Sequence, residues 1–249
     1  MERGGTPSAF VPKGEKLQEQ RRYDALMIAS AAASQAPPHI DRATGLLAGV
    51  RQVLSPHFDQ RPQGVEPELL IVHGISLPPG EFGGAWIDRL FTGTLPAAAH
   101  PYFAQIEGLR ASAHALIRRD GQVVQYVPFT LRAWHAGKSE YRGRSGCNDF
   151  SIGLELEGSD DTPYADAQYD ALAALTAALL AAYPSLSAQA IVGHSDVAPG
   201  RKTDPGPSFD WARLRRLLDA RIAAAAAAAA ADTAAADTAA TAAATASSV

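Results

Sequence analysis

Three side chains combine metal-binding chemistry with positions that would let them meet. His73 ends the apolar run Glu68-Leu-Leu-Ile-Val-His73, His194 ends Ala190-Ile-Val-Gly-His194, and Asp204 lies in the proline-rich loop that follows. Strand ends open onto clefts. Two imidazoles and one carboxylate suit Zn²⁺ and leave a fourth position for water, as in catalytic rather than structural zinc sites. Spacing alone does not decide the matter. No short pattern such as H-E-x-x-H ties the three together, and two buried histidines capping their strands through hydrogen bonds would leave the same trace.

A pair of carboxylates comes next. In Ser151-Ile-Gly-Leu-Glu-Leu-Glu157 the residues Ile152, Leu154 and Leu156 alternate with Gly153, Glu155 and Glu157. Period two sets both glutamates on one face of a strand, which is unlike plain core. A solvated strand edge is the ordinary alternative. His114 and His135 are further imidazoles, for which structural roles are expected once other ligands serve the metal. Trp134, beside His135, is a candidate for lining a cleft. Cys147 is the single cysteine; no cationic neighbour in the sequence activates it, so it is assigned no chemistry.

The elements that must carry these residues can be read in outline. Glu68 to His73 is a short buried strand followed by Gly74 and the Pro78-Pro79-Gly80 turn. Ala113 to Arg118 and Gln122 to Val127 flank Asp120-Gly121, a strong signal for a tight antiparallel hairpin. Asp166 to Tyr183 carries Leu172, Leu175, Leu179 and Leu180 among alanines and stops before Pro184, as an amphipathic helix should. Ala190 to His194 is another short strand, the segment Ser195 to Pro207 a long loop, and Asp210 to about Ala220 a closing helix with Asp210 near its start. This order implies a single α/β (α+β) domain with a central mixed β-sheet flanked by helices and a zinc site at the strand ends.

Composition bounds the rest. Residues 1–40 mix charge, Gly and Pro without periodicity and are expected to be a disordered extension; residues 221–249 form an Ala-rich low-complexity tail, expected to be frayed; residues 41–220 hold the folded domain. With 22 Lys and Arg against 26 Asp and Glu, the chain carries no positive field of the kind that holds nucleic acid or an anionic membrane. The run Ala25 to Ala33 is short, preceded by Asp24 and made mostly of small residues, so it reads neither as a secretion signal nor as a span. A cytoplasmic protein acting as a monomer on a small partner is the expectation.

Four strings carry a resemblance that spacing does not. Val72-His-Gly-Ile-Ser-Leu-Pro-Pro-Gly-Glu-Phe-Gly-Gly84, Ala133-Trp-His-Ala-Gly137, Cys147-Asn-Asp-Phe-Ser-Ile-Gly-Leu-Glu-Leu-Glu-Gly158 and Gly193-His194 through Arg201-Lys-Thr-Asp-Pro-Gly-Pro-Ser-Phe-Asp-Trp211 closely resemble the AmpD family of cytosolic 1,6-anhydro-N-acetylmuramyl-L-alanine amidases. More distantly they are similar to the phage-lysozyme type amidases and the peptidoglycan recognition proteins. The similarity spans roughly Val53 to Leu217.

The resemblance implies one Zn²⁺ held by His73, His194 and Asp204, with catalytic roles for Glu155 and Lys202. Zinc lowers the pKa of water towards about 7, so Glu155 can take its proton, while the Lys202 ammonium stabilises the developing oxyanion. Glu157 ranks behind Glu155. The implied substrate is a muropeptide, cut between the lactyl group and L-alanine. Its carboxylates should want arginine, and Arg110 matches a family arginine. Gly74 and Gly146 depart from the common pattern, which has Asn and Arg there, and Arg144 is the candidate to replace the missing arginine. A periplasmic amidase acting on polymeric peptidoglycan and a binding module without catalysis are the alternatives.

Overall fold

The computed structural model describes residues 38–246, with side chains described through residue 231. The expected N-terminal extension therefore lies outside the described residues, apart from its last three. Among the described residues, six strands form one sheet. They are β1 (Arg51–Gln52), β2 (Leu69–Ile75), β3 (Ala115–Ile117), β4 (Val123–Gln125), β5 (Ser151–Glu157) and β6 (Ile191–Gly193), in the spatial order β6-β2-β5-β3-β4-β1. Three pairings around β2 and β5 are parallel, β3 and β4 form the expected antiparallel hairpin at Gly121 (φ 85°), and β1 lies parallel to β4. The sheet is mixed, as the order of elements implies.

β5 is buried along its whole length, and its alternation sorts two layers. Ile152, Leu154 and Leu156 join Leu70 and Val72 of β2 in a core with Leu172, Leu175 and Leu179 of α3 (Asp166–Ala182) and Leu214 and Leu218 of α5 (Trp211–Ala246). Leu69 and Ile71 point the other way, into a smaller cluster with Ala136, Cys147 and Phe150. Because parallel partners in register share a face, the pairing Glu155↔His73 puts both side chains on this second face, near the C-terminal ends of their strands. Sheet twist and register thus deliver two residues far apart in sequence to one place.

Two readings of the chain need correcting here. His194 does not end a strand; it is the first residue of a short helix, α4 (His194–Val197), after β6 stops at Gly193. The Ala-rich tail is not frayed from residue 221, since α5 runs unbroken to Ala246. Leu218 is the last residue of that helix in the core, and residues beyond it are exposed through 231. Alanine has the best helix propensity, and turns already nucleated by packing at Leu214 and Leu218 propagate at one hydrogen bond per residue. Asp210 caps the helix start by accepting from Arg213 N at 2.8 Å. Among the described residues, no helix is long and apolar enough to cross a membrane.

Candidate active site

A cleft of about 570 Å³ opens over the ends of β2 and β5, a size suited to a small-molecule or peptide ligand. His73, Glu155, His194 and Asp204 line it together with Lys202 and Trp134. His73 Nδ1 and His194 Nδ1 approach to 2.9 Å, and Asp204 Oδ2 lies 3.0 Å from the latter and 3.3 Å from the former. All three donor atoms fall within 4.8 Å of one another.

The outer nitrogens of both rings are engaged elsewhere. His194 Nε2 lies 3.1 Å from Ala136 O, a carbonyl that can only accept, so this nitrogen carries the proton and Nδ1 presents a lone pair. His73 Nε2 lies 2.9 Å from His135 Nδ1. Two imidazole nitrogens and a carboxylate oxygen thus converge on one point, where a cation shared among their electron pairs would offset their mutual repulsion. The donor set, its geometry and its outward supports fit Zn²⁺ with an open fourth position.

Electrostatics separates the roles. Burial pushes the pKa of His73 from 6.5 down to about 4, against the pull of Asp204, so the ring is neutral at pH 7, as a metal ligand must be. Burial also works against the charge of Asp204, but the adjoining His194 and His73 imidazoles outweigh it and hold the carboxyl below the usual carboxylate range. Glu155 moves the opposite way. Burial, reinforced by the negative Asp204 and opposed by Lys202, raises its pKa well above 4.5. It is 8% exposed, and its Oε2 has no hydrogen-bond partner. A cleft carboxyl with a raised pKa and a free oxygen is disposed to exchange a proton. Lys202 is exposed at the rim, its backbone N donating to Ala198 O at 3.1 Å.

The remaining sequence candidates divide. Trp134 lines the cleft, and the guanidinium of Arg110 lies over its ring, 5.7 Å from the centroid. Arg144 is not brought to the cleft. It pairs with Glu68 at 3.1 Å and stacks on Phe150, residues that immediately precede β2 and β5 and so mark the opposite end of the sheet. Closeness to Gly146 along the chain did not translate into closeness to the site. At Gly74 a Cβ would lie 2.4 Å from the Tyr164 hydroxyl, so tyrosine takes space that a side chain at this position would need. Cys147 is buried, and burial raises its pKa, in keeping with an inert thiol.

Glu157 is not an alternate base. Its carboxylate accepts from Arg118 Nη1 at 3.1 Å, from Gly83 N at 2.6 Å and from Arg119 N at 3.3 Å. Arg118, 1% exposed, also pairs with Asp88 of α1 (Trp86–Phe91) at 3.0 Å. Glu157 therefore ties the cleft-side loop around Gly83 to the sheet. Glu157→Ala is expected to destabilise the fold by about 3 kcal/mol, because one member of a buried ion pair is stranded; a urea midpoint unchanged from wild type would refute this.

The sequence reading missed the apolar wall of the cleft, formed by Leu90 and Phe91 of α1, by Tyr102 of α2 (Pro101–Gln105) and by Ile106 just beyond it. It also missed Arg201, which donates to Ala136 O at 2.5 Å and to Lys138 O at 2.7 Å.

A mixed α+β sheet with an open cleft at one end, where His73 of a strand, His194 of a short helix and Asp204 of a loop converge, has the architecture and donor set that suit a metal-dependent hydrolase. Residues 63–207 match the family model for N-acetylmuramoyl-L-alanine amidase. The chain belongs to this family and is an N-acetylmuramoyl-L-alanine amidase. It is 64% identical over 174 residues to the 1,6-anhydro-N-acetylmuramyl-L-alanine amidase AmpD of Escherichia coli K12, covering 70% of this chain and 94% of that protein. Identity to the protein of the same name from Haemophilus influenzae is 53% over 173 residues, again 70% of this chain and 94% of the other. A crystal structure of a selenomethionine AmpD derivative superposes with a TM-score of 0.70 at 64% identity, covering 72% of this chain and 98% of that one.

Proposed function

We propose that the protein hydrolyses the amide between the lactyl group of 1,6-anhydro-N-acetylmuramic acid and the L-alanine of a stem peptide, as a recycling enzyme acting on soluble muropeptides in the cytoplasm. What carries the reading is the meeting, in one cleft of an amidase-family chain, of the convergent His73–His194–Asp204 set and the unpartnered carboxyl of Glu155. The extent and identity of the match to curated 1,6-anhydro-N-acetylmuramyl-L-alanine amidases support the choice of sugar.

His73, His194 and Asp204 would hold one Zn²⁺, which supplies Lewis acidity to the scissile carbonyl and lowers the pKa of water. Glu155 takes the proton of the attacking water on its free Oε2 and later gives it to the departing L-alanine nitrogen, so one carboxyl serves as base and then acid. Lys202, two residues before Asp204, is held near the carbonyl by the anchoring of that loop, and its ammonium offsets the negative charge that the oxygen gains as the carbon becomes tetrahedral. Trp134 and the apolar wall flank the substrate, and Arg110 beside Trp134 offers a cation to the carboxylates of the peptide.

The test is hydrolysis of anhydromuramyl-tripeptide by the full chain before chelation, after chelation and after zinc restoration, with intact sacculi as a second substrate. Zinc-dependent release of tripeptide with little release from sacculi is expected. Failure of folded, zinc-supplied protein to turn over the tripeptide would overturn the reading; efficient release from sacculi would replace it with an enzyme of polymeric peptidoglycan.

A further inference from the structure

We propose that His135 is a positioning residue: through a one-way hydrogen-bond chain ending at Ser151 and the Cys147 carbonyl, it fixes His73 as the tautomer whose Nδ1 is free for the metal. The inference rests on the zinc reading of the site and adds to it a residue outside the ligand set.

The direction of the chain follows from the donors available. Ser151 Oγ donates its single proton to Cys147 O at 2.5 Å, so towards the ring it can only accept. His135 Nε2, 3.2 Å away, must then be the N–H. In a neutral imidazole this leaves His135 Nδ1 as an acceptor, and the 2.9 Å contact makes His73 Nε2 the donor. With its proton committed outwards, His73 turns an unprotonated Nδ1 towards His194 and Asp204. One hydroxyl on β5 thereby sets the protonation of a ring two contacts away.

The surroundings are built for this ring. His135 is packed over Gly153 of β5, where a Cβ would fall 2.3 Å from His135 Cγ, so a side chain at this strand position would expel it. The ring meets His73 edge-on, with centroids 5.0 Å apart. Asn148 Oδ1 accepts from His135 N at 3.2 Å and from Ala136 N at 2.8 Å. The carbonyl of that same Ala136 accepts from His194 Nε2. A single two-residue segment, clamped by Asn148, therefore orients both histidine ligands, one through a side chain and the other through the backbone.

Zinc affinity of the full chain, measured by competition with a chromophoric chelator, tests the proposal beside ¹⁵N NMR of the histidine rings in zinc-free protein. Wild type should show a proton on His73 Nε2. His135→Phe keeps the ring volume but removes the acceptor; it should weaken zinc about 10–100-fold, the usual effect of losing an outer-shell partner, and let the Nδ1–H form of His73 grow. His135→Asn places Oδ1 near the lost Nδ1 and should recover most of the affinity, an order opposite to that of a packing role. Should His135→Phe fail to fold, Ser151→Ala deletes only the hydroxyl and should weaken zinc about 10-fold. A bare His73 Nε2 in wild type, or zinc binding at wild-type strength in both His135→Phe and Ser151→Ala, would overturn the proposal. Wild type that binds no zinc would instead remove the zinc reading, while the NMR result, taken without metal, still decides the direction of the chain.

Discussion

Replacing Asp204 by alanine is expected to abolish turnover of anhydromuramyl-tripeptide and to weaken zinc binding more than about 100-fold, beyond the range for outer-shell losses. Asp204 is the only anion of the converging set, and its oxygen is within 3.3 Å of both imidazole nitrogens. Without it two neutral rings must hold a dication unaided. The same substitution should free the loop that carries Lys202, which Asp204 would anchor by holding the metal. Asp204→Asn separates these effects, because an amide keeps the shape and a neutral oxygen ligand; it should bind zinc with intermediate affinity. Equilibrium dialysis and chromatographic detection of tripeptide provide the readouts. An alanine variant with one tight zinc per chain and kcat/KM within tenfold of wild type would remove Asp204 from the ligand set.

How far these residues were legible in the sequence depended on the range of the interactions that place them. His73 was visible because it ends a short apolar run, Glu155 because it sits in a run with a clear period of two, and the hairpin at Gly121 because turn chemistry is local. Their meeting was not visible, since the register Glu155↔His73 is a property of the assembled sheet. The helices Trp86–Phe91 and Pro101–Gln105 span six and five residues. That is under two turns, too short for a period of 3.6 to declare itself, so the apolar wall of the cleft was hidden. Arg144 shows the converse, proximity in sequence without a place in the cleft lining. Only Ser145 separates it from Gly146, yet the pair Glu140–Tyr141 with Arg144–Ser145 folds into its own ribbon and turns the guanidinium to Glu68. His135 was seen as an imidazole in a suggestive string, but its link to His73 requires the absence of a side chain at Gly153, a contact no local pattern encodes.

The second large effect expected is at Glu155, where glutamine should lower kcat by about 10²–10⁴, the usual contribution of a positioned general base, with KM and zinc affinity little changed. A fall of about 10³ corresponds to roughly 4 kcal/mol of transition-state stabilisation. Stability should move the other way. Burial raises the pKa of Glu155 in the folded chain well above its ordinary 4.5, so between that value and the folded pKa the unfolded chain releases a proton that the folded chain retains. For such a group stability is fully present below the unfolded pKa and is lost as pH rises. Glutamine abolishes this cost. In zinc-free protein, Glu155→Gln should match wild type in Tm below about pH 4 and exceed it increasingly as pH rises towards 8; each kcal/mol is worth about 2–4 °C in a domain of this size. The pairing of lost turnover with gained, pH-dependent stability distinguishes a carboxyl kept for chemistry from one kept for packing. A variant that loses activity and also loses stability at pH 8 would show that Glu155 supports the fold, and the base would have to be sought elsewhere in the cleft.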